Sequence, residues 1–276
     1  MGKCQYCGHD AGLLRKKHPN CEQRYLTGKS EIIGLVPENI FGEERPLRFL
    51  DSLKVIATEN FISMEDLREL IIEGWENAVE KALEDNILSI AEEEKLLGFA
   101  TELQFKQDEL DRNGAYARVF KGGILREILD GKIPERVTIN GPTPFNLQKS
   151  EQIVWIFQNV KLYEQITRRQ YVGGSRGVGV RVAKGLYFRV GNFQGHSINV
   201  NETHLSDAGY MGVTTKHIYF SGGEKHFRIP YGKIVAFVPY DDGIEIQRDG
   251  VRAKPQLFET GDGWFTYNLL TNLAQL

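Results

Sequence analysis

The period of apolar and polar positions changes along this chain, and the changes divide it into parts. Between residues 47 and 129 the period is helical. Leu47, Leu50, Leu53, Val55 and Ile56 suggest one helix. Leu67, Leu70, Ile71, Trp75, Val79 and Leu83 fall at i, i+3, i+4 spacing and predict a second, opened by Ser63 with Asp66 three residues on. Ser89 and Glu92 make a capping box for a third, whose apolar face is Leu96, Leu97, Ala100 and Leu103. The pattern continues over 107–116 and 119–129, with a break expected at Gly122-Gly123. Between 211 and 249 the period is two. This stretch predicts strands over 213–220, 225–229, 234–240 and 244–248, with turns at Ser221-Gly222-Gly223 and Asp241-Asp242-Gly243. Gly and Asp supply the positive φ that hairpins need. Residues 153–163 predict another strand, or a helix leading into one, and 264–276 a final helix.

These elements imply an α+β chain with four parts: a finger over 1–35, a helical domain over 47–132, a linker over 133–150 and a β domain over 151–276. The linker is marked by Pro134, Pro142, Pro144, Gly131 and Gly141. A length of 276 residues with 41% hydrophobic content supports more than one core. Net charge is −3, which argues against generic nucleic-acid binding, but the charge is uneven. Residues 61–135 carry nine Lys or Arg against eighteen Asp or Glu, whereas 161–189 carry seven against one. The first is expected to be a solvated helical surface and the second to face a polar partner. No apolar run approaches 18 residues, so no transmembrane segment is expected. The three cysteines make no disulfide framework, and a cytoplasmic location is expected.

All three cysteines lie in the first 21 residues, as Cys4-x-x-Cys7 followed by His18-Pro-Asn-Cys21. Zinc takes four soft or borderline donors in a tetrahedron, and a two-residue gap lets each pair grip one ion from a tight turn. The expected site is a structural Zn2+ held by Cys4, Cys7, His18 and Cys21, with His9 the competing fourth ligand. Gly8 suits the left-handed residue that closes such a knuckle. Pro19 suits the first turn of a helix running to about Leu35. The arrangement resembles a treble-clef or short zinc-ribbon finger. Gly28-Lys29-Ser30 is not a phosphate loop, because Gln23 stands where the first glycine is needed.

Residues 173–195 hold seven glycines and match no nucleotide-binding spacing. Val178, Val180 and Val182 alternate with Gly179, Arg181 and Ala183, as on a strand with one apolar face. Two accounts stand side by side: a twisted hairpin with basic tips whose arginines pair with the acidic helices, or an anion and partner site built from Arg168, Arg169, Arg176, Arg181 and Lys184. No catalytic constellation is expected. His196, His204, His217 and His226 form no His-x-x-x-His, and Ser197 beside His196 points to the opposite face of its strand.

The order Thr214, Thr215, Ile218, Phe220, then Ile229-Pro230, Ile234, a hairpin and a last helix resembles GRAM-like and bacterial pleckstrin-homology-like (PH-like) domains. The resemblance implies a PH/GRAM-like β-barrel closed by the C-terminal helix, with Trp264, Phe265, Leu269, Leu270 and Leu273 at its mouth. It also implies a basic headgroup site in the loop between the first two strands. Residues 82–103 are similar to small helical TerB-type bundles. The expectation is a non-enzymatic binding or adaptor protein whose β domain docks on an anionic membrane surface or a protein partner. The alternative is a nucleic-acid-associated factor in which finger and hairpin contact phosphate; Lys3, Arg15, Lys16 and Lys17 favour it.

Overall fold

The computed structural model describes the chain apart from residues 1, 13–14, 86, 140, 165–168, 173–174, 184–185, 194–195, 200–203 and 251–252, and describes the remaining residues between 165 and 203 by their backbone. The chain forms two compact units, Met1–Gly123 and Ile124–Leu276.

The first unit begins with two short paired strands, β1 (Gly2–Lys3) and β2 (Asp10–Gly12). Helices follow: α1 (Pro19–Phe41), α2 (Pro46–Glu59), α3 (Met64–Ala82), α4 (Ile90–Glu102), α5 (Gln107–Leu110) and α6 (Ala115–Leu129), the last crossing the division between units. Ser63 caps α3 by accepting from the Asp66 amide, and the Ser89–Glu92 capping box opens α4 as its sequence predicts. Trp75, fully buried, donates its indole N–H to the Leu96 carbonyl at 2.9 Å, so a polar tip lies satisfied in an apolar core.

Three expectations for this unit are corrected. Helix α1 runs past Leu35 to Phe41 through Pro37. Pro37 has no N–H for the Ile33 carbonyl, and that carbonyl faces Gly74 of α3, where a Cβ would sit 3.0 Å from it and 2.6 Å from Val36 Cβ. Close approach of α3, Ile32, Val36 and Ile40 then hold the helix together across the proline. Helix α2 buries Phe49, Leu53 and Ala57, while Leu47 and Val55 are exposed, so its inward face is rotated from the one expected. The break expected at Gly122-Gly123 is absent. Gly122 lies under Leu88, where a Cβ would sit 3.0 Å from the Leu88 Cβ, and serves close packing rather than termination.

The second unit is an antiparallel sheet with one capping helix. Its strands are β3 (Ile153–Tyr163), β4 (Arg169–Val172), β5 (Ser175–Ala183), β6 (Leu186–Phe193), β7 (His196–Asn199), β8 (Leu205–Thr214), β9 (His217–Gly222), β10 (His226–Pro230), β11 (Ile234–Tyr240), β12 (Gly243–Arg248) and β13 (Gln256–Glu259), followed by α7 (Gly263–Leu273). The main sheet has the order β10-β9-β8-β3-β13-β12-β11-β4-β7, and β5 pairs with β6 separately. The first strand thus pairs with the second strand of the meander, β8, and with its last, β13. The consecutive strands β10 and β11 are not paired, so the sheet is open rather than a closed barrel. Helix α7 packs across β11 and β12. Its N-cap Asp262 accepts from the Phe265 amide, and Phe265 meets Trp155 edge-on at 5.1 Å.

The strand expected over 213–220 is two strands with a turn at Thr215-Lys216. The Thr214 hydroxyl accepts the amides of His217 (2.9 Å) and Lys216 (3.2 Å), which folds the chain back on itself. The next turn closes on Asp207, whose carboxylate accepts the amides of Glu224, Lys225 and Gly223. Those bonds hold its carboxyl down to about 2. Before the sheet, Phe145 is buried over Gly212 of β8 and 5.6 Å from the Tyr219 ring; a Cβ on Gly212 would lie 2.6 Å from that phenyl ring.

Candidate metal centre

The four expected ligands converge. Cys4, Cys7, His18 and Cys21 present one donor atom each, all within 4.8 Å of one another. Cys4 follows β1 and is buried. Its carbonyl accepts the Gly8 amide at 2.9 Å, and Gly8 adopts φ +73°, which closes the turn so that Cys4 and Cys7 face the same point. Pro19 begins α1 and His18 is its N-cap, which sets Cys21 one turn from His18 on the same side. His18 Nδ1 lies 3.4 Å from the Cys7 sulfur and 3.7 Å from the Cys21 sulfur. His18 Nε2 lies 2.9 Å from the Asp10 carbonyl oxygen, so Nε2 carries the proton and donates it there. The lone pair of Nδ1 is therefore turned toward the three sulfurs. Four donors about 2.3 Å from one ion would stand roughly 3.8 Å apart, and the two separations from His18 Nδ1, 3.4 and 3.7 Å, are close to that.

Electrostatics agree with the geometry. Hydrogen bonds from His9, backbone first and imidazole second, hold the Cys7 thiol down to about 6, so it is a thiolate at neutral pH. Burial first, then the Cys7 and Cys4 sulfurs, push Cys21 up to about 11. Three sulfurs this close cannot all ionise without a cation between them, and a divalent ion would reverse the Cys21 shift. His9 itself is exposed and is not among the converging donors. The cluster is a Cys3His group within ion-binding distance, and an ion held by all four protein donors would have no open position for a substrate.

Of the residues expected to bind an anion or partner, Arg168 and Lys184 lie outside the described residues. Arg169 falls on β4, and Arg176 and Arg181 on β5, all described by backbone. The two ladders keep one register: Val172 lies opposite His196 and Ser175 opposite Phe193. The valine alternation matches a paired strand, with Val178 opposite Val190 and Val180 opposite Phe188.

A buried polar cluster was not foreseen from sequence. Glu151, just before β3, has a fully buried side chain. Its Oε1 accepts from the Thr214 hydroxyl (2.5 Å) and from His217 Nδ1 (2.8 Å); its Oε2 accepts from Tyr219 OH and the Gln148 amide, both at 2.8 Å. Burial alone would push this carboxyl up, but the four hydrogen bonds outweigh it and hold it down to about 2. The group fastens the chain before β3 to the β8–β9 turn. A carboxyl depressed from about 4.5 stabilises the fold above pH 4.5, and that contribution, about 3 kcal/mol, is lost as pH falls toward about 2. Urea midpoints measured between pH 7 and pH 3 are expected to fall for the natural chain. Glu151→Gln should begin lower at pH 7 and show a flatter profile; equal profiles would contradict this account.

No family model, curated protein or solved structure matches the chain. Among the described residues no helix is long and apolar enough to cross a membrane.

Proposed function

We propose that this chain is a non-enzymatic, cytoplasmic binding or adaptor protein, with a structural zinc ion at its N-terminal end and a PH/GRAM-like β domain that docks on an anionic membrane surface. Zinc is favoured by the donor set: three sulfurs and an imidazole nitrogen all within 4.8 Å of one another, the donors a tetrahedral zinc takes. The observation that carries the reading is the strand order. Seven of the nine strands of the open main sheet run β10-β9-β8-β3-β13-β12-β11, and the chain ends in a helix laid across β11 and β12, which supports the PH/GRAM-like reading. The docking surface is the basic hairpin with Arg168, Arg169, Arg176, Arg181 and Lys184.

The competing account pairs those cations with the acidic helices. Several of the acids are already engaged at home. Glu69 pairs with Arg112, Glu80 with Arg118 and Glu109 with Arg68, while Glu76 accepts from Asn113. This supports an external role for the hairpin. Each basic residue near an anionic bilayer contributes about 1 kcal/mol, so reversing three removes roughly a hundredfold in affinity. The test is sedimentation of the full chain with phosphatidylserine-containing vesicles. Arg168→Glu/Arg169→Glu/Arg176→Glu is expected to abolish binding with an unchanged Tm. A lowered Tm with binding retained would favour the internal account.

A further inference from the structure

A second cationic surface lies on the metal knuckle, in the other compact unit. The Lys3, Arg15 and Lys16 side chains are exposed. Their backbones are drawn together: the Gln5 amide donates to the Lys16 carbonyl at 2.8 Å, and Gly2 abuts the Arg15 carbonyl so closely that a Cβ there would lie 2.5 Å from it. These contacts run between the Cys4 side of the metal cluster and the segment leading to His18, so the fold that gathers the four ligands also gathers the three cations.

Among the described residues they lack side-chain partners, a condition shared in this unit with exposed Arg45 and Lys81. Elsewhere in this unit the cations are widely engaged. Arg68, Arg112 and Arg118 pair with carboxylates, and Lys95 and Arg24 donate to the carbonyls of Phe41 and Glu59. On the knuckle, Lys17 is taken by Glu22. Lys3, Arg15 and Lys16 have no ion pair and no side-chain hydrogen bond among the described residues, and Asp10 is the sole carboxylate in residues 2–18. Leu13 and Leu14, next to Arg15, lie outside the described residues. Exposed neighbours include Gln5, His9, Asn20 and Asp10, the last opposite Lys3 in the β1–β2 ladder; they hydrogen-bond but do not insert into lipid. Unpaired cations among polar hydrogen-bonders fit a chain of phosphates in water better than a bilayer.

We infer that Lys3, Arg15 and Lys16 form a contact surface for the phosphate backbone of a nucleic acid, distinct from the membrane-facing hairpin of the β domain. Three phosphate contacts make the logarithm of affinity fall with the logarithm of salt at a slope of about −2.7 on duplex DNA, roughly 40-fold between about 50 and 200 mM. The surface reads no sequence, because phosphate contacts carry none.

The test uses the full, metal-loaded chain and fluorescence anisotropy with a labelled DNA duplex and a labelled single-stranded RNA, beside phosphatidylserine-containing vesicles. The natural chain is expected to bind one or both nucleic acids with that salt slope. Lys3→Gln/Arg15→Gln/Lys16→Gln should weaken binding at about 50 mM salt at least tenfold and flatten the slope, while its metal content stays at that of the natural chain. The hairpin variant Arg169→Glu/Arg176→Glu/Arg181→Glu should bind nucleic acid as before. Absence of nucleic-acid binding by the natural chain, an unchanged slope in the knuckle variant, or loss of binding in the hairpin variant alone would overturn the inference. So would a knuckle-dependent affinity for vesicles without one for nucleic acid. None of these outcomes bears on vesicle binding through the hairpin, so the two readings fail separately.

Discussion

Deleting Trp264 to Leu276 should leave the second unit unable to fold cooperatively. Phe265, Leu269, Leu270 and Leu273 of α7 are each at most 5% exposed, and Phe265 packs against both Trp155 and Phe157 of β3. Fully burying one such side chain is worth about 1.5–3 kcal/mol, so removing four costs roughly 6–12. That equals most of the net stability of a typical domain, about 5–15 kcal/mol. The helix also covers a sheet that does not close on itself, so its loss exposes strand faces and favours aggregation. The truncated chain is expected in the insoluble fraction. If it stays soluble, loss of the second-unit transition in urea is expected instead. A milder pair, Phe265→Ala and Leu269→Ala, should each lower the midpoint with cooperativity retained, through stability losses of about 3–5 and 2–5 kcal/mol respectively. A truncation that remains soluble and cooperative would make α7 an accessory.

What was legible in the sequence was local. The Ser89–Glu92 box and the Ser63 cap depend on residues three positions apart and the Cys/His cluster on residues at most 17 apart, so spacing alone carries the geometry. The errors arise where distant packing decides. Gly122 has the composition of a break, yet Leu88 lies against it and the helix continues. Pro37 has the composition of a stop, yet Gly74 of another helix offers the room that keeps α1 intact. In α2 both candidate faces contain leucine, and the face bearing Phe49, Leu53 and Ala57 wins because it meets the other helices. The run 213–220 has high strand propensity throughout, and the Thr214 hydroxyl turns it in the middle.

The same division holds at the site. The ligand residues could be read from their spacing, but the group that orients His18 could not. That group is the Asp10 backbone carbonyl, and a carbonyl leaves no mark on residue type. Glu151 was missed for a related reason: its partner His217 is 66 positions away. One signal was available, an acidic residue two positions before a strand that opens on a run of five apolar residues, where a carboxylate is costly unless bonded.

Stripping the metal, or replacing Cys4 by Ser, should dissolve the knuckle and fray the start of α1 while the helical core stands. Metal analysis of the natural chain, purified without chelator under reducing conditions, is expected to give close to one zinc per chain. Residues 2–18 form two very short strands and turns, too little to bury a core, so ion binding and local folding are the same event. The first buried residue of α1 is Gly28, so the turns from Pro19 rest on the metal cluster, on Tyr25 at the edge of the core, and on Arg24, which stacks on Phe61 and donates to the Glu59 carbonyl. Beyond Gly28 the helix is held by Ile32, Val36 and Ile40 in the bundle. Apparent binding energies of structural zinc are about 10–16 kcal/mol, so its removal outweighs anything else holding the knuckle. Amide exchange should therefore show lost protection over residues 4–27 with α3 and α4 unaffected. Cys4 is also a buried side chain, and its replacement by Ser could act through packing alone. His18→Cys separates the two effects. A donor role predicts that this variant keeps the metal through four sulfurs and keeps its protection, whereas a packing role predicts that the larger change at His18 does more harm than the smaller one at Cys4. A natural chain that purifies metal-free and equally protected would remove the ion from the account of this fold.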